Sequence, residues 1–454
     1  MEKRGSFGSK FGVLAALAGS AVGLGNMWRF PYLMGTNGGA AFVFIYLFMV
    51  LVLCIPIMYT EFVIGRRSGK NSFGAFRVLN YGKGWSVIGV ISVLCSIFIL
   101  GFYTVVGGWI IDYIVKSAEI CVGVDIAHGG EMGEMGEIFA KTMTSNWSPI
   151  LYMALFVALT AGIVMAGVEK GIEKFSKYMM PLLFVLVIVV AVRSLTLGGS
   201  ERGLAFLFNP DFSKVTSNTV MDAMGQAFFS LSLGMGCILT YASYVSKKES
   251  IIKTSMLTSI SDTAFALLSG LAIMPAVFAF GIAPSEGPGL VFVVLPEIFQ
   301  QIPLGSILQL LFFFALFLAA ITSSISLFEV SVSFVNEEIG LKRSVSTTIV
   351  LIVVVIFGAL ASLSLGSHKI TVGGYTFFDA LDKFTSNILM PLGGLLIVIF
   401  VGWVMPKRDL FDELTSGNTI KVRGWFLNYS YFVIKYLAPI IIATVMLRGL
   451  IDKF

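Results

Sequence analysis

The stretch GSAVGLGNMWRFP at residues 19–31 interrupts a long apolar segment near the start of the chain. Its three glycines weaken a helix, and the amide of Asn26 and the guanidinium of Arg29 are costly in hydrocarbon. Irregular backbone at membrane depth is tolerated only where protein or a water-filled cavity satisfies its polar groups. The stretch therefore predicts a broken helix that lines a binding site.

The composition is that of a polytopic membrane protein. The 454 residues have a mean hydropathy of +0.91 and only 13% charged side chains, against roughly 25% in soluble domains. A helix needs about 20 apolar residues to cross a hydrocarbon core about 30 Å thick. About eleven such segments are predicted, at approximately 10–35, 40–65, 86–116, 149–167, 174–196, 220–245, 254–283, 303–337, 344–366, 377–405 and 428–450.

Basic residues cluster beside alternate ends of these segments, among them Lys3, Arg4, Arg66, Arg67, Lys247, Lys248, Lys421 and Arg423. The positive-inside rule then predicts a multi-pass protein of the plasma (inner) membrane with a cytoplasmic N-terminus. The net charge of +5 follows from this topology, so we expect no nucleic-acid partner. A P-loop, a nucleophile elbow and zinc-ligand spacing are all missing from the sequence, so it does not predict an enzyme.

A second interruption, FFSLSLGMG at residues 228–236, occupies the corresponding place in the second half of the chain. Broken helices at matching positions indicate an inverted-repeat transporter whose site lies near the bilayer midplane. We expect a single domain, 1–454, with repeats at about 10–196 and 220–405 and an extra helix at about 428–450. Glycines in membrane helices more often serve close packing, but the cluster around Asn26 and the matching break favour a binding site.

Other polar groups inside the segments also need partners. The acids Asp262, Glu337 and Asp382 are expected to face cavities or other polar groups. The hydroxyls of Thr322, Ser323 and Ser324 have two equal interpretations. They either donate to carbonyls of their own helix or form an oxygen cage suited to Na⁺.

Several motifs occur in the same order as in a known family: GSAVGLGNMWRFPY, NGGAAF, GQAFFSLSLG, TYASYV and ITSSIS. Over nearly its whole length the chain resembles the neurotransmitter:sodium symporter family, particularly its bacterial amino-acid branch. The resemblance implies an all-α, LeuT-like five-plus-five inverted repeat with unwound first and sixth helices. It also implies sodium-coupled import of an amino acid by alternating access, in a bilayer and without an obligatory protein partner.

The resemblance implies two sodium ions. The first would be bound by the Ala21 carbonyl, Asn26, Ser230 and a residue of the seventh segment. One way of counting gives Asp262 at that position and another gives Ser261. An acid there would supply the charge that chloride supplies in other relatives, which predicts chloride independence. The implied ligands of the second ion are Gly19, Val22, Ala319, Thr322 and Ser323.

The implied substrate is an α-amino acid. Its carboxylate would meet the N–H groups of Leu24 and Gly25 and the hydroxyl of Tyr103, and its ammonium would meet carbonyls. Gly23 stands where amine-transporting relatives have an aspartate. Met235 favours large hydrophobic or aromatic L-amino acids, because a flexible thioether yields space. The complete implied set is Ala21, Leu24, Gly25, Ile99, Tyr103, Phe229, Ser230, Ser232, Met235, Ser323 and Leu327.

Two gates are also implied. Arg29 would pair with Asp382 outside, under Tyr103 and Phe229 as lids. Inside, the implied gate is formed by Arg4, Glu337, Phe7 and Tyr244. Gly171 and Pro181 are similar to a family motif for unwinding of the fifth helix. A membrane sensor of amino acids or a sodium channel is the alternative function, although no filter or ring of charges indicates a channel.

Overall fold

The computed structural model describes residues 5–124, 134–282, 288–366 and 368–451, and these ranges are almost entirely helical. The helices of the first half are α1 (Lys10–Ala21), α2 (Gly25–Thr36), α3 (Ala40–Ser68), α4 (Ser72–Leu79), α5 (Val87–Cys121), α6 (Glu134–Thr144), α7 (Ser148–Met165), α8 (Val168–Leu195) and α9 (Ser200–Phe208).

The second half begins with a 3₁₀ turn at Phe212–Lys214 and contains one small hairpin. Its strands, β1 (Thr371–Val372) and β2 (Tyr375–Thr376), are antiparallel, with Thr371 opposite Thr376. The helices are α10 (Ser217–Ser230), α11 (Cys237–Ala242), α12 (Ile251–Ala279), α13 (Leu290–Gln300), α14 (Gly305–Glu338), α15 (Arg343–Leu365), α16 (Phe377–Val404), α17 (Lys407–Leu414) and α18 (Gly424–Arg448).

Within the described ranges, nine helices are long and apolar enough to cross a membrane: α3, α5, α7, α8, α12, α14, α15, α16 and α18. A tenth crossing is formed by α1 and α2 together, which are bent by 50° at their junction. The sixth predicted segment, 220–245, is divided between α10 and α11, and each of these is too short to cross alone. Counted as one broken crossing, this pair brings the described crossings to eleven, the number that the sequence predicts.

The first break follows from the local sequence. The Ser9 side chain caps α1 by accepting a hydrogen bond from the Gly12 N–H, and α1 ends where Val22 becomes extended. The chain resumes as a π-helical turn at Gly25–Arg29. Pro31 lies in the first turn of the α-helical part that follows, where its missing N–H costs little.

The second break depends on three residues with positive φ: Ser232 (55°), Gly234 (78°) and Gly236 (80°). At Gly234 a Cβ would lie only 2.2 Å from the carbonyl oxygen of Met390, so only glycine fits against α16. The freed Gly234 N–H donates to Glu61 Oε1 at 2.7 Å. This buried carboxylate on α3 therefore replaces the helical hydrogen bond that the break removes.

Burial separates inner helices from outer ones. The central windows of α14 and α5 are 78% and 72% buried, whereas those of α18 and α15 are only 28% and 33% buried. Helix α1 packs against α8, α12 and α14. The two breaks consequently lie inside the bundle, away from the surface that faces lipid.

Candidate functional site

A small cavity lies between the two breaks. All eleven residues predicted to bind the substrate line it, and so do Ser20 and Gly23. Its walls come from the α1–α2 and α10–α11 junctions and from the middle of α5 and α14. The sequence therefore predicted which residues come together, while their part in binding stays a prediction.

Two glycines allow the backbone of the first break to approach its neighbours. A Cβ on Gly23 would lie 2.4 Å from Ser323 Oγ, and one on Gly25 would lie 2.9 Å from the Phe229 ring. The Leu24 N–H points to the Tyr103 hydroxyl at 3.5 Å. Backbone N–H groups and a phenol thus converge at one end of the cavity, as recognition of a carboxylate requires.

The other walls are apolar. Ile99, Met235 and Leu327 line the cavity, and each is less than 5% exposed. The cavity therefore joins a polar end, formed by the broken backbone, to an apolar compartment. This combination is typical of sites for small amphipathic ligands.

A buried polar cluster lies beside the first break. Asn26 Nδ2 donates to Asp262 Oδ1 at 2.8 Å, and Ser230 Oγ lies 2.8 and 2.9 Å from the two carboxylate oxygens. The Tyr46 hydroxyl donates to Oδ2 at 3.2 Å. These donors are all neutral, and Asp262 is completely buried, whereas Ser261 is partly exposed. The structure thus brings Asp262, rather than Ser261, to Asn26 and Ser230.

The cluster fits a monovalent cation. Carboxylate, amide, hydroxyl and carbonyl oxygens are hard ligands, and a buried carboxylate held only by neutral donors is stabilised by a bound positive charge. Na⁺ would neutralise Asp262 at this position. The assignment of Ala21, Asn26, Ser230 and Asp262 as ligands stays a prediction.

The five residues predicted for the second ion are also adjacent. Ser323 Oγ lies 3.4 Å from the Gly19 carbonyl oxygen and 3.2 Å from that of Val22. Thr322 Oγ1 lies 3.1 Å from the Ala319 carbonyl and 2.9 Å from that of Leu318. Both interpretations of the hydroxyls therefore apply in part: Thr322 donates within its own helix, and Ser323 faces the break.

Ser324, the third hydroxyl of that run, points elsewhere. Its Oγ lies 3.3 Å from Thr160 Oγ1 on α7. The oxygen cluster at the first break therefore includes Thr322 and Ser323 but not Ser324.

Sequence reasoning missed several polar residues that support the breaks. Gln226 Nε2, for example, donates to the Gly25 carbonyl at 2.8 Å. Tyr46 donates to Asp262 beside the first break, and Glu61 accepts from the Gly234 N–H at the second break. Glu61 could have been identified from the sequence, because an acid within a predicted membrane segment needs a buried partner.

A second cavity lies beside the first and shares four lining residues with it: Leu24, Gly25, Tyr103 and Phe229. We call it the vestibule; its other lining residues include Trp28, Arg29, Tyr32, Phe102, Phe378 and Asp382. The Arg29 guanidinium lies over the Phe229 ring, 5.3 Å from its centroid, and Asp382 accepts from Ser386 at 3.0 Å. Among the described residues these two groups form no ion pair within 4 Å. The predicted direct pair is therefore not made in this conformation.

The predicted inner gate lies at the opposite end of the bundle. Arg4, which was predicted to pair with Glu337 there, lies outside the described residues. Glu337 accepts hydrogen bonds from the N–H and side chain of Asn71, at 3.1 and 3.0 Å. The Phe7 ring packs edge-on against Tyr244, and the Phe7 N–H donates to the Tyr244 carbonyl. The structure thus brings together Phe7 and Tyr244, two of the residues predicted for the inner gate, and their part in gating stays a prediction.

A buried acid that sequence reasoning missed joins this end to the neighbouring helices. The Tyr244 hydroxyl donates to Glu329 Oε1 at 2.7 Å, and Arg343 pairs with the same carboxylate. Arg343 also donates to the Val164 carbonyl at 2.8 and 2.9 Å. These contacts connect α7, α14 and α15 to the turn that follows α11.

The start of α8 holds the chain that leads into α1. Glu173 Oε2 accepts from the Gly8 N–H at 2.6 Å, and Oε1 accepts from the Ser9 hydroxyl at 2.8 Å. Glu173 lies in the π-helical turn Val168–Glu173, which also contains Gly171 and precedes Pro181. The motif predicted to unwind is therefore the same segment that anchors the N-terminal stretch.

Comparisons with known proteins agree with this geometry. A profile of the Sodium:neurotransmitter symporter family matches residues 4–123 and 132–453. An uncharacterised sodium-dependent transporter of Bacillus subtilis is 37% identical, with 98% of both chains covered. The bovine sodium-dependent dopamine transporter is 27% identical, over 91% of this chain and 65% of its own.

A solved structure is similar over the same length. The crystal structure of MhsT in complex with L-phenylalanine is 40% identical, with a TM-score of 0.90, and the match covers 98% of this chain and 100% of MhsT. The all-α fold with two broken helices is therefore confirmed. This chain belongs to the sodium:neurotransmitter symporter family and is, as a member, a multi-pass sodium-dependent transporter.

Proposed function

We propose that the protein is a sodium-coupled symporter that imports hydrophobic or aromatic L-amino acids by alternating access. The main support for this proposal is the cavity in which broken backbone meets an apolar compartment, with Ser230 in its wall bonded to the buried carboxylate of Asp262 behind it. The complex of the similar protein MhsT with L-phenylalanine supports the substrate class.

Each part of the cavity binds a different group of the substrate. The N–H groups of Leu24 and Gly25 and the Tyr103 hydroxyl bind the substrate carboxylate at the positive end of α2. Carbonyls freed by the breaks accept the ammonium, and the apolar compartment takes the side chain. Gly23 carries no carboxylate that would compete with that of an amino acid.

Two sodium ions complete the proposal. One neutralises Asp262 and touches the substrate carboxylate, so substrate and ion stabilise each other's binding. The other joins α1 to α14 through the oxygens around Thr322 and Ser323. Because both ions bind at the first break, their binding and release are coupled to movement of α1, which is the basis of alternating access.

The gates follow from the two ends of the bundle. Arg29 and Asp382 close the vestibule from outside, and Phe7, Tyr244 and Glu337 close the path inside. We place the protein in the inner membrane with its N-terminus in the cytoplasm. This orientation puts the basic ends of the helices on the cytoplasmic side.

Substrate class is tested by sodium-driven uptake into proteoliposomes, with each of the twenty amino acids in turn as competitor. We expect aromatic and large aliphatic amino acids to compete most strongly and charged ones not to compete. Competition only by acidic or basic amino acids would contradict the proposed pocket. A sensor would bind the same amino acids without accumulating label inside the vesicles.

A further inference from the structure

An open groove lies on the outer surface of the bundle and shares no lining residue with the central cavity. It lies between the start of α12 and the segment that leads into α18. Both helices begin at the end of the bundle where basic residues cluster. The groove is therefore at the edge of the membrane, on the predicted cytoplasmic side.

One wall of the groove is an apolar stripe on α12. Met256, Leu257 and Ile260 are 41%, 36% and 54% exposed, and they share one face of the helix through spacings of three and four residues. Asp262, on the opposite face of the same helix, is buried in the bundle. The stripe thus faces the bilayer. Trp425, 64% exposed, borders the groove at the start of α18, a position typical of interfacial aromatics.

Three cations surround the mouth of the groove. Lys253, Lys421 and Arg423 are exposed, and none of the hydrogen bonds or ion pairs seen in the described part of the chain uses their side chains. Other basic residues on this side do have acidic partners: Arg66 pairs with Glu413 at 2.8 Å, for example. The groove mouth consequently holds positive charge that the described protein does not neutralise.

We propose that this groove binds an anionic phospholipid. Its phosphate lies among Lys253, Lys421 and Arg423, and an acyl chain lies along the stripe of Met256, Leu257 and Ile260. From Lys253 to Ile260 the helix rises about 10 Å, which is about two thirds of one leaflet of hydrocarbon. Basic pockets at the cytoplasmic ends of membrane helices are suited to anionic headgroups. The apolar stripe lies at membrane depth and contacts an acyl chain, so the groove favours a lipid over a soluble anion, which has no such chain.

The proposal is tested by native mass spectrometry of the purified full-length protein with phosphatidylglycerol or phosphatidylcholine. We expect the wild type to retain phosphatidylglycerol preferentially. The triple variant Lys253→Gln, Lys421→Gln, Arg423→Gln should bind it roughly a hundredfold more weakly. The charge-conserving variant Lys253→Arg, Lys421→Arg, Arg423→Lys should retain it.

A matched control removes three exposed cations elsewhere on the same side: Lys83→Gln, Lys248→Gln and Lys342→Gln. This variant should retain phosphatidylglycerol as the wild type does. Equal loss in both neutralised triples would overturn the proposal, because binding would then depend on general surface charge. Displacement of the lipid by millimolar inorganic phosphate would also overturn it, since a free anion would be sufficient. Lipid retention is measured without transport, so its failure is distinct from failure of the proposed symport.

Discussion

Gly23 lies in the first break and faces Ser323 of α14. A methyl group there would lie 2.4 Å from Ser323 Oγ, which is buried among carbonyl groups of α1. We expect Gly23→Ala to lower amino-acid uptake at least tenfold, because a Cβ displaces a group that faces both the substrate and the proposed second ion. Overpacking of this kind costs about 1–3 kcal/mol.

Gly162→Ala on α7 is the matched control, since a Cβ there meets no atom within 4 Å. Uptake by this variant should equal that of the wild type. If Gly23→Ala also transports normally, the close approach at Gly23 has no functional importance.

Asp262 bears the charge that we assign to the first sodium site. Uptake by the wild type should be unchanged when gluconate replaces chloride. In Asp262→Ser we expect the apparent sodium affinity to fall at least tenfold, about 1.4 kcal/mol, with partial recovery in chloride. The measurement is the sodium dependence of uptake in both anions. A wild type that needs chloride would show that the proposed role of Asp262 is wrong.

Met235 lies in the apolar wall of the cavity and is 3% exposed. Met235→Phe should weaken binding of tryptophan and phenylalanine more than that of leucine, because a rigid ring removes space. A misfit of methylene size is worth roughly 1–3 kcal/mol, or about 10- to 200-fold in discrimination. Competition binding measures the order of the three ligands, and Met165→Phe, at an exposed position on α7, should leave that order unchanged. Equal loss for all three ligands would make Met235 a structural residue.

At the scale of elements, the N-terminal stretch and α8 are linked by Glu173. A Cβ on Gly12 would lie 2.0 Å from Glu173 Oε1, so glycine at this position lets the carboxylate reach Gly8 and Ser9. We expect Glu173→Gln to free residues 5–12, because hydrogen bonds to a charged acceptor are worth about 1.5–3 kcal/mol each. Hydrogen exchange of these amides should become faster than in the wild type.

Glu201→Gln supplies the control, since Glu201 is an exposed acid in the first turn of α9 and none of the hydrogen bonds seen in the described residues uses its side chain. Exchange of residues 5–12 should be unchanged in this variant. Unchanged exchange in Glu173→Gln would mean that other contacts hold the N-terminal stretch.

The sequence predicted the long elements closely because their signal is strong. The segment predicted at 303–337 is observed as Gly305–Glu338, and that predicted at 86–116 is observed as Val87–Cys121. Helix α5, Val87–Cys121, is longer than predicted because it continues past the apolar run. Short helices such as Ser72–Leu79 and Glu134–Thr144 were not predicted, since a test for spans of about 20 apolar residues does not detect them.

At the scale of the whole molecule, the resemblance predicted the residues of the central cavity but not their supports. Glu61 and Glu329 are buried acids within predicted segments, yet their partners, the Gly234 N–H and Arg343, are distant in sequence. Only the folded bundle shows which groups satisfy them. The Arg29–Asp382 pair, in contrast, was predicted but is not formed in this structure. A gate has more than one conformation, and a residue pattern does not specify which one is formed.

We propose that sodium bound at the first break drives amino-acid accumulation. The most direct measurement is uptake of labelled phenylalanine into proteoliposomes with Na⁺ outside and K⁺ inside. We predict accumulation above the external concentration, loss of that accumulation when K⁺ replaces external Na⁺, and release of label when an ionophore dissipates the sodium gradient. Undiminished accumulation in K⁺ would contradict the sodium coupling and both proposed ion sites.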